Sequence, residues 1–347
     1  MVTKVVGVDI GSDAIRAVEI QDPGKAKPTL LRHHQVALSE GAVSRGEVIE
    51  QNTVAEALKH LWKTGGFTSK RVVLGVGNQR VFARELTVPK APLKHIRESL
   101  PFQVQEMLPV PVADALLDFY PIAEAEGEHG PVIRGLLVAA VKEAVAGNVN
   151  AAKLAGLTVE DVDLIPFALS RVLVTRPALP GGVVLVDVGA NTTSVVMAVD
   201  GVPQFVRIIP AGGEDVTRAL QSLEMPEVEA EVLKRRLGLA QSAEPADRPA
   251  VDAIYRVTGE LLNSLRNTVS FFTNTRPDQT IGQIVLTGGG SLLHGFRENL
   301  ARMTGLPVTA PEPLKTVSLS SKLSADDLRI NQISLTAALG LAIGSAS

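Results

Sequence analysis

Val5-Val6-Gly7-Val8-Asp9-Ile10-Gly11-Ser12 is restated in the second half of the chain as Val183-Val184-Leu185-Val186-Asp187-Val188-Gly189-Ala190. Each copy puts an Asp near the end of an apolar run and a Gly two residues on. Each then resumes β character, in Ala14–Ile20 and in Thr192–Met197, so both read as hairpins. A Gly turn lets backbone N–H groups approach an anion, and an adjacent carboxylate can hold a hydrated Mg²⁺ beside it. Two such hairpins face to face would clamp the phosphates of a nucleotide. Taken singly, either Asp could equally start a β-turn through its own side chain.

At 347 residues the chain is expected to divide into two or more domains. A hydrophobic content of 45% with 20% charged residues describes a globular protein. The net charge of −3 offers no electrostatic case for nucleic acid or for an acidic membrane. The absence of cysteine excludes disulfides, thiolate metal sites and a Cys nucleophile. No signal peptide is read at the N-terminus, and no run reaches the ~18 apolar residues of a membrane span, so a cytoplasmic protein is expected. The six histidines show no ligand spacing, and Trp62 sits at an apolar helical position.

Working outward from the first hairpin, Leu30–Leu38 reads as a third strand. A capping box of Thr53 and Glu56 opens a helix that Gly65-Gly66 ends, and Arg71–Val76 reads as a buried strand. Composition shifts near residue 84. Ile96, Leu100, Val104, Met107 and Leu108 recur at helical spacing, with Pro101 predicting a kink or two short helices. Strands at Ala115–Pro121 and Val132–Val141 flank an acidic loop from Glu124 to Gly130. A helix over Lys142–Ala155 and a strand at Val159–Leu164 follow, and 84–160 reads as a small α/β insert. Arg176–Gly182 is the main boundary. Beyond it lie the second hairpin, a third strand at Gln204–Ile209, and Gly212-Gly213 leading into a helix. Next come a helix at Glu227–Leu237, a mobile loop at Ala240–Arg248, and a long helix from Val251 to Phe272. The strand Ile281–Leu286 runs into Thr287-Gly288-Gly289-Gly290-Ser291 and a further helix. Such a turn leaves bare backbone for a phosphate or adenine, with the helix N-terminus adding partial positive charge. A last helix is expected from near Asn331.

In this order the motifs resemble the actin–Hsp70–sugar kinase superfamily. Asp9-Ile10-Gly11-Ser12-Asp13 looks like its first phosphate loop, Asp187 through Thr193 (with Gly189, Ala190, Asn191 and Thr192) like the second, and Thr287–Gly290 with Leu292 like its adenosine motif. Glu231 and Lys234 resemble the pair that touches ribose and adenine, and Gly212-Gly213 adds to the same site. Asp163–Arg171 and Ala337–Gly340 resemble the two connecting helices. The implied fold is α/β, a duplicated actin-like (ribonuclease H-like) architecture. Its first domain would span 1–180 with the insert 84–160, and its second 181–347 with a helical subdomain at 213–280. The position of the insert is as in the cell-division protein FtsA.

Leu108-Pro109-Val110-Pro111, Asp118-Phe119-Tyr120, Asp163 through Arg171 and Ala211-Gly212-Gly213-Glu214-Asp215 look more closely like the PilM family of type IV pilus assembly proteins. That resemblance implies ATP and Mg²⁺ between the domains, with Asp9 and Asp187 as metal ligands through water and Asp163 near the attacking water. Hydrolysis, if any, is expected to be slow. It also implies capture of the N-terminal cytoplasmic tail of a PilN-like inner-membrane protein, in a groove near Val81, Phe82, Ala83, Arg84, Leu86, Ile96, Leu100, Val104 and Met107. Contact with pilus motor or platform proteins and self-association fall within the same expectation. Location is at the inner face of the membrane, through partners only, since no basic amphipathic helix is read at the C-terminus. Two other readings stay open: a filament-forming division or shape protein like FtsA or MreB, and a small-molecule kinase, for which no separate base motif is found.

Overall fold

In the computed structural model, which describes residues 3–239 and 244–344, the first half is built on β1 (Lys4–Ile10), β2 (Ala14–Gln21) and β3 (Thr29–Ala37). The first two form the expected hairpin, with Asp9 opposite Arg16. β4 (Val43–Ser44) and β5 (Glu47–Val48) make a small ribbon ahead of α1 (Gln51–Gly65) and β6 (Arg71–Val76). The apolar run of β1 has a physical cause. Its alternate residues serve two cores: Val6, Val8 and Ile10 pack with Val54, Leu58 and Leu61 of α1, whereas Val5 lies on the opposite side with Ala168 and Leu341. The Thr53–Glu56 capping box does not form. The helix starts earlier, at Gln51, and Thr53 donates its hydroxyl to Glu50 at 2.8 Å while Glu56 pairs with Lys59.

The insert is smaller than the sequence suggests. β7 (Val81–Pro89), α2 (Leu93–Gln103), β8 (Ala115–Gly127) and β9 (Gly130–Val141) form a three-stranded antiparallel sheet, ordered β7-β9-β8, under one helix. The next two elements, α3 (Lys142–Leu154) and β10 (Thr158–Leu164), leave it: β10 pairs in parallel with β6 along its length. The boundaries are therefore 81 and 141 in place of 84 and 160. The stretch that was expected to kink or divide does divide: α2 ends at Gln103, two residues past Pro101, and Gln105–Met107 follow as a separate 3₁₀ turn. The acidic stretch from Glu124 continues the β8–β9 ladder to a tight turn between Gly127 and Gly130.

After α4 (Ile165–Leu173) the plan repeats with β11 (Gly182–Val188), β12 (Thr193–Val199) and β13 (Val202–Ile209), then α5 (Gly213–Gln221), α6 (Glu227–Leu237) and α7 (Arg248–Thr275). Of the expected loop at 240–248, residues 240–243 lie outside those described; Pro245–Asp247 form a short 3₁₀ turn and Arg248 already begins α7. β14 (Ile281–Thr287), α8 (Phe296–Thr304) and β15 (Val308–Thr309) complete a sheet ordered β13-β12-β11-β14-β15. That is the order of β3-β2-β1-β6-β10 in the first sheet. The glycine turn after β14 opens a 3₁₀ turn, Gly289–Leu292, and α8 begins only at Phe296. The N-terminus of α8 therefore does not abut the three glycines, contrary to expectation; the N-terminus of α5 does, a Cβ on Gly213 lying 3.4 Å from Gly290 Cα.

The C-terminal part does not stay with the second sheet. β16 (Ser318–Leu319) adds in parallel to the edge of β3, and α9 (Ala325–Asn331) and α10 (Thr336–Gly344) follow as two helices where one was expected. Ala338, Leu339, Ala342 and Ile343 of α10 share a core with Phe167, Leu169 and Val172 of α4 and with Val183 and Leu185 of β11. The two helices touch backbone to backbone: a Cβ on Gly340 would stand 2.0 Å from the Ala168 carbonyl oxygen. Arg171 of α4 locks the crossing by donating to the Gly340 carbonyl at 2.8 Å and to Asp163 at 2.9 Å. Gly340→Ala is expected to cost about 2 kcal/mol or more through this overlap, read as a melting temperature lower by several degrees in scanning calorimetry. An unchanged Tm would show that the helices are not in contact here.

Candidate functional site

The two hairpin turns face one another across a cleft of about 1360 Å³. They are built alike: Gly11 N–H donates to the Ala14 carbonyl at 3.0 Å, and Gly189 N–H to the Thr192 carbonyl at 2.9 Å. They also touch, since Asn191 Nδ2 donates to Ser12 Oγ at 2.7 Å. Asn191 is held in turn by Arg218, which donates to its Oδ1 at 3.2 Å and to Asp215 at 2.7 Å. The loop ahead of α5 is tied to the second turn, with Gly213 N–H donating to Gly189 O at 2.9 Å and Glu214 N–H to Ala190 O at 2.8 Å. Asp215 accepts from Gly212 N–H at 2.8 Å, closing the first turn of the helix.

Asp9 and Asp187 line the cleft. Burial pushes the Asp187 carboxyl up to about 7, with the Asp9 charge adding to the rise and Arg16 opposing it. Asp9 is raised for the same leading reason, desolvation, again against Arg16. Asp13 adds to the rise at Asp9, so each of the two carboxyls is raised by burial and by a neighbouring carboxylate, and the site is short of positive charge. A divalent cation would supply it. Among the described residues no group of three or more His, Cys, Asp or Glu is gathered for a metal, so such an ion would take its remaining ligands from water and phosphate, the habit of Mg²⁺.

The far wall is the glycine turn. Gly288 has φ +88°, and a Cβ there would lie 2.3 Å from Val188 O and 2.7 Å from Asp187 Oδ1. The backbone of the third motif is thus pressed against the second, leaving Gly289 and Gly290 bare at the cleft surface. Beside them Lys234 Nζ donates to Gly213 O at 3.2 Å, to Thr217 at 2.8 Å, and to Glu231. Burial disfavours the Glu231 charge, yet hydrogen bonds from Lys234 and Thr217 outweigh it and hold the carboxyl below its usual range.

Most of the expected cofactor residues meet in this cleft: Gly11, Ser12, Asp13, Gly189, Ala190, Asn191, Thr192, Gly212, Gly213, Glu231, Lys234, Gly288, Gly289, Gly290 and Leu292. Thr193 and Thr287 do not. Thr193 is buried and donates to Ala211 O at 2.7 Å; Thr287 lies under the floor. Asp163 is also off the cleft wall, half-buried against Arg171, and the α4 side chains that reach the cleft are Ile165 and Leu169. Burial raises the Asp163 carboxyl and Arg171 opposes this. An Asp so engaged is a positioning group for the helix crossing. Four arginines on the wall were not assigned to the site by the sequence reading: Arg16, Arg218, Arg235 and Arg256. For Arg16 the signal was present: a turn centred on Gly11–Asp13 places it opposite Asp9.

The groove residues separate into two sets. Ile96, Leu100 and Val104 are buried with Val88, Phe119 and Leu137 as the insert's own core, so they offer nothing to a partner. The helical spacing that marked them reflected α2 packing on its sheet. Val81 is buried too. Phe82, Ala83, Leu86 and Met107 are half-buried and Arg84 is exposed, its guanidinium 5.4 Å from the Phe82 ring centre and donating to Met107 O at 3.2 Å.

The family model for type IV pilus assembly protein PilM matches residues 7–346. A solved PilM–PilN type IV pilus biogenesis complex superposes with a TM-score of 0.84 at 28% identity, over 99% of this chain and 98% of that one. FtsA of Pseudomonas aeruginosa is 24% identical, over 91% of this chain and 84% of its own length. FtsA of Neisseria meningitidis is 26% identical over 61% of this chain, which spans 58% of that protein. MreB5 of Spiroplasma citri bound to AMPPNP shares the fold at 12% identity and a TM-score of 0.52, over 90% of this chain and 93% of that one.

The raised Asp187 carboxyl sets a pH dependence. Its folded value of about 7 stands above the ordinary 3.8, so the folded state holds the proton longer and stability falls as pH rises through that window. Asp187→Asn should flatten this fall and raise the ligand-free Tm at pH 8 by a few degrees. Calorimetry at pH 5, 6.5 and 8 checks it; parallel curves for the two proteins would contradict the burial of this charge.

Proposed function

Because the chain belongs to the PilM family of type IV pilus assembly proteins, we propose that it is an ATP-binding, actin-like scaffold that holds the cytoplasmic tail of a PilN-like membrane protein. The observation that carries this is the pair of hairpin turns facing each other, joined by Asn191 and Ser12 and each ending in a half-buried carboxyl raised by desolvation. Asp9 and Asp187 would hold Mg²⁺ through its waters, and the metal would screen phosphate charge. Gly11, Ser12, Gly189 and Asn191 would meet the phosphates, with Arg16 and Arg218 supplying cations. Gly288–Gly290, Glu231 and Lys234 would receive the nucleoside. Among the described residues no helix is long and apolar enough to cross a membrane, so attachment to the inner face would run through the partner.

The insert is placed to report on the cleft. On one side Tyr120 stacks on Phe167 of α4, with ring centres 4.8 Å apart. On the other Glu85 of β7 pairs with Arg276, at the end of α7, which also lies 4.6 Å over Phe272. A nucleotide that draws the halves together must therefore load one of these contacts, and differential affinity for the two arrangements would shift the groove.

Calorimetric titration of Mg-ATP, then of the tail peptide of a membrane protein encoded beside this one, tests the reading. Asp9→Ala and Asp187→Ala are each expected to abolish Mg-ATP binding, and retained affinity would refute the site. Phe82→Asp is expected to weaken the peptide at least about tenfold while leaving ATP unchanged. Full peptide affinity in that variant would move the groove elsewhere. Ile96→Asp is not a usable probe, since it charges the core of the insert.

A further inference from the structure

We propose that the molecule carries a second ligand site, for a phosphate-bearing anion, at the end of the hairpins remote from the cleft. There the β2–β3 turn meets both connections between the halves. The segment after α4 leads out of the first half, and the 3₁₀ turn Pro313–Thr316 leads back toward β16. Between them lies a concavity of about 840 Å³.

Its wall is of one sign. Lys25 and Lys27 come from the β2–β3 turn, Arg176 from the outgoing connection and Lys315 from the returning one, with the Thr175 and Thr316 hydroxyls between them and no carboxylate among the lining residues. Lys25 is neutralised by Asp22 at 2.8 Å and Lys315 by Glu312. Lys27 and Arg176 make no ion pair or side-chain hydrogen bond among the described residues. A chain of net charge −3 thus turns two unpaired cations, flanked by two more, into one hollow made of three separate segments. Solvated lysines on a convex face would spread apart; convergence on a concavity raises the local potential and favours an anion there.

The chemistry fits a group with at least two negative charges and several acceptor oxygens, which Arg recognises in bidentate fashion and Lys as a point charge. The hollow is large enough for more than a single phosphate. An anion bound to Arg176 and Lys27 together would staple the outgoing connection to the first sheet, favouring one arrangement of the two halves. The inference does not depend on what occupies the main cleft. Two sources share this chemistry, a soluble polyphosphate compound and a phospholipid headgroup.

The test uses the full chain in two arms: calorimetric titration of inorganic pyrophosphate with Mg-ATP present throughout, and co-sedimentation with vesicles containing phosphatidic acid, whose phosphomonoester carries up to two charges, against neutral phosphatidylcholine vesicles. Lys27→Glu with Arg176→Glu is compared with Lys59→Glu, a surface lysine on α1. Binding in either arm that falls about tenfold or more in the double variant, survives in Lys59→Glu, and weakens with salt supports the site, and the arm that responds names the source. Binding in neither arm, or equal binding by all three proteins, overturns it. Should the charge reversal lower the Tm, Lys27→Gln with Arg176→Gln is measured by the same criteria.

Discussion

The crossing of α4 and α10 is the constraint on which the rest of the molecule hangs. Gly340 and Ala168 bring two backbones into contact, and Arg171 spends its charge on a carbonyl and on Asp163. A side chain of ordinary size at Gly340 would push the helices apart, and with them the sheets that each helix covers. Because α10 comes from the end of the chain and packs against the first sheet, the two halves cannot separate without breaking a core that both share. The cleft is what remains open when two sheets that share a five-strand order are tied at this crossing and again, through Asn191 and Ser12, at their turns.

At those turns the fold accepts an electrostatic penalty. Desolvation raises both Asp9 and Asp187, with Asp13 adding to the first and Asp9 to the second, and Arg16 offsets only part of the rise. A protein selected for stability alone would do better with neutral side chains here. The cost becomes intelligible if the missing positive charge arrives with a ligand, since the same desolvation that destabilises the empty site strengthens the attraction to a cation. Asn191 and Ser12 add a geometric condition: their hydrogen bond fixes the width of the cleft at its floor.

What the sequence disclosed was what is local. Each hairpin carries its strand pattern, turn glycine and carboxylate within a few residues, so the duplication and the cleft-lining turns could be read directly. The periodicity of residues 96–107 was equally legible but ambiguous, because a helix facing its own sheet and a helix facing a partner show the same spacing. Only burial decides, and it placed Ile96, Leu100 and Val104 inside. The insert's end was misplaced for a related reason: α3 and β10 look like any helix and strand until β10 is seen beside β6. The return of α10 to the first sheet, and the engagement of Asp163 by Arg171, depend on long-range contacts that leave no local mark.

That division bears on how the molecule would work. The motifs marked α4 and α10 as connecting helices, but the contacts between distant parts could not be read locally: Arg171 on Gly340, and the Glu85–Arg276 pair between insert and second half. Arg276 illustrates the physics. Burial lowers its pKa below the usual value for arginine, with Asp278 opposing the shift, and it lies against Phe272. Glu85 itself stays 60% exposed, so the pair orients the insert toward the second half more than it stabilises it. The insert is therefore not free to follow the first half alone. Its position is set jointly by Tyr120 on Phe167 of α4 and by Glu85 on Arg276.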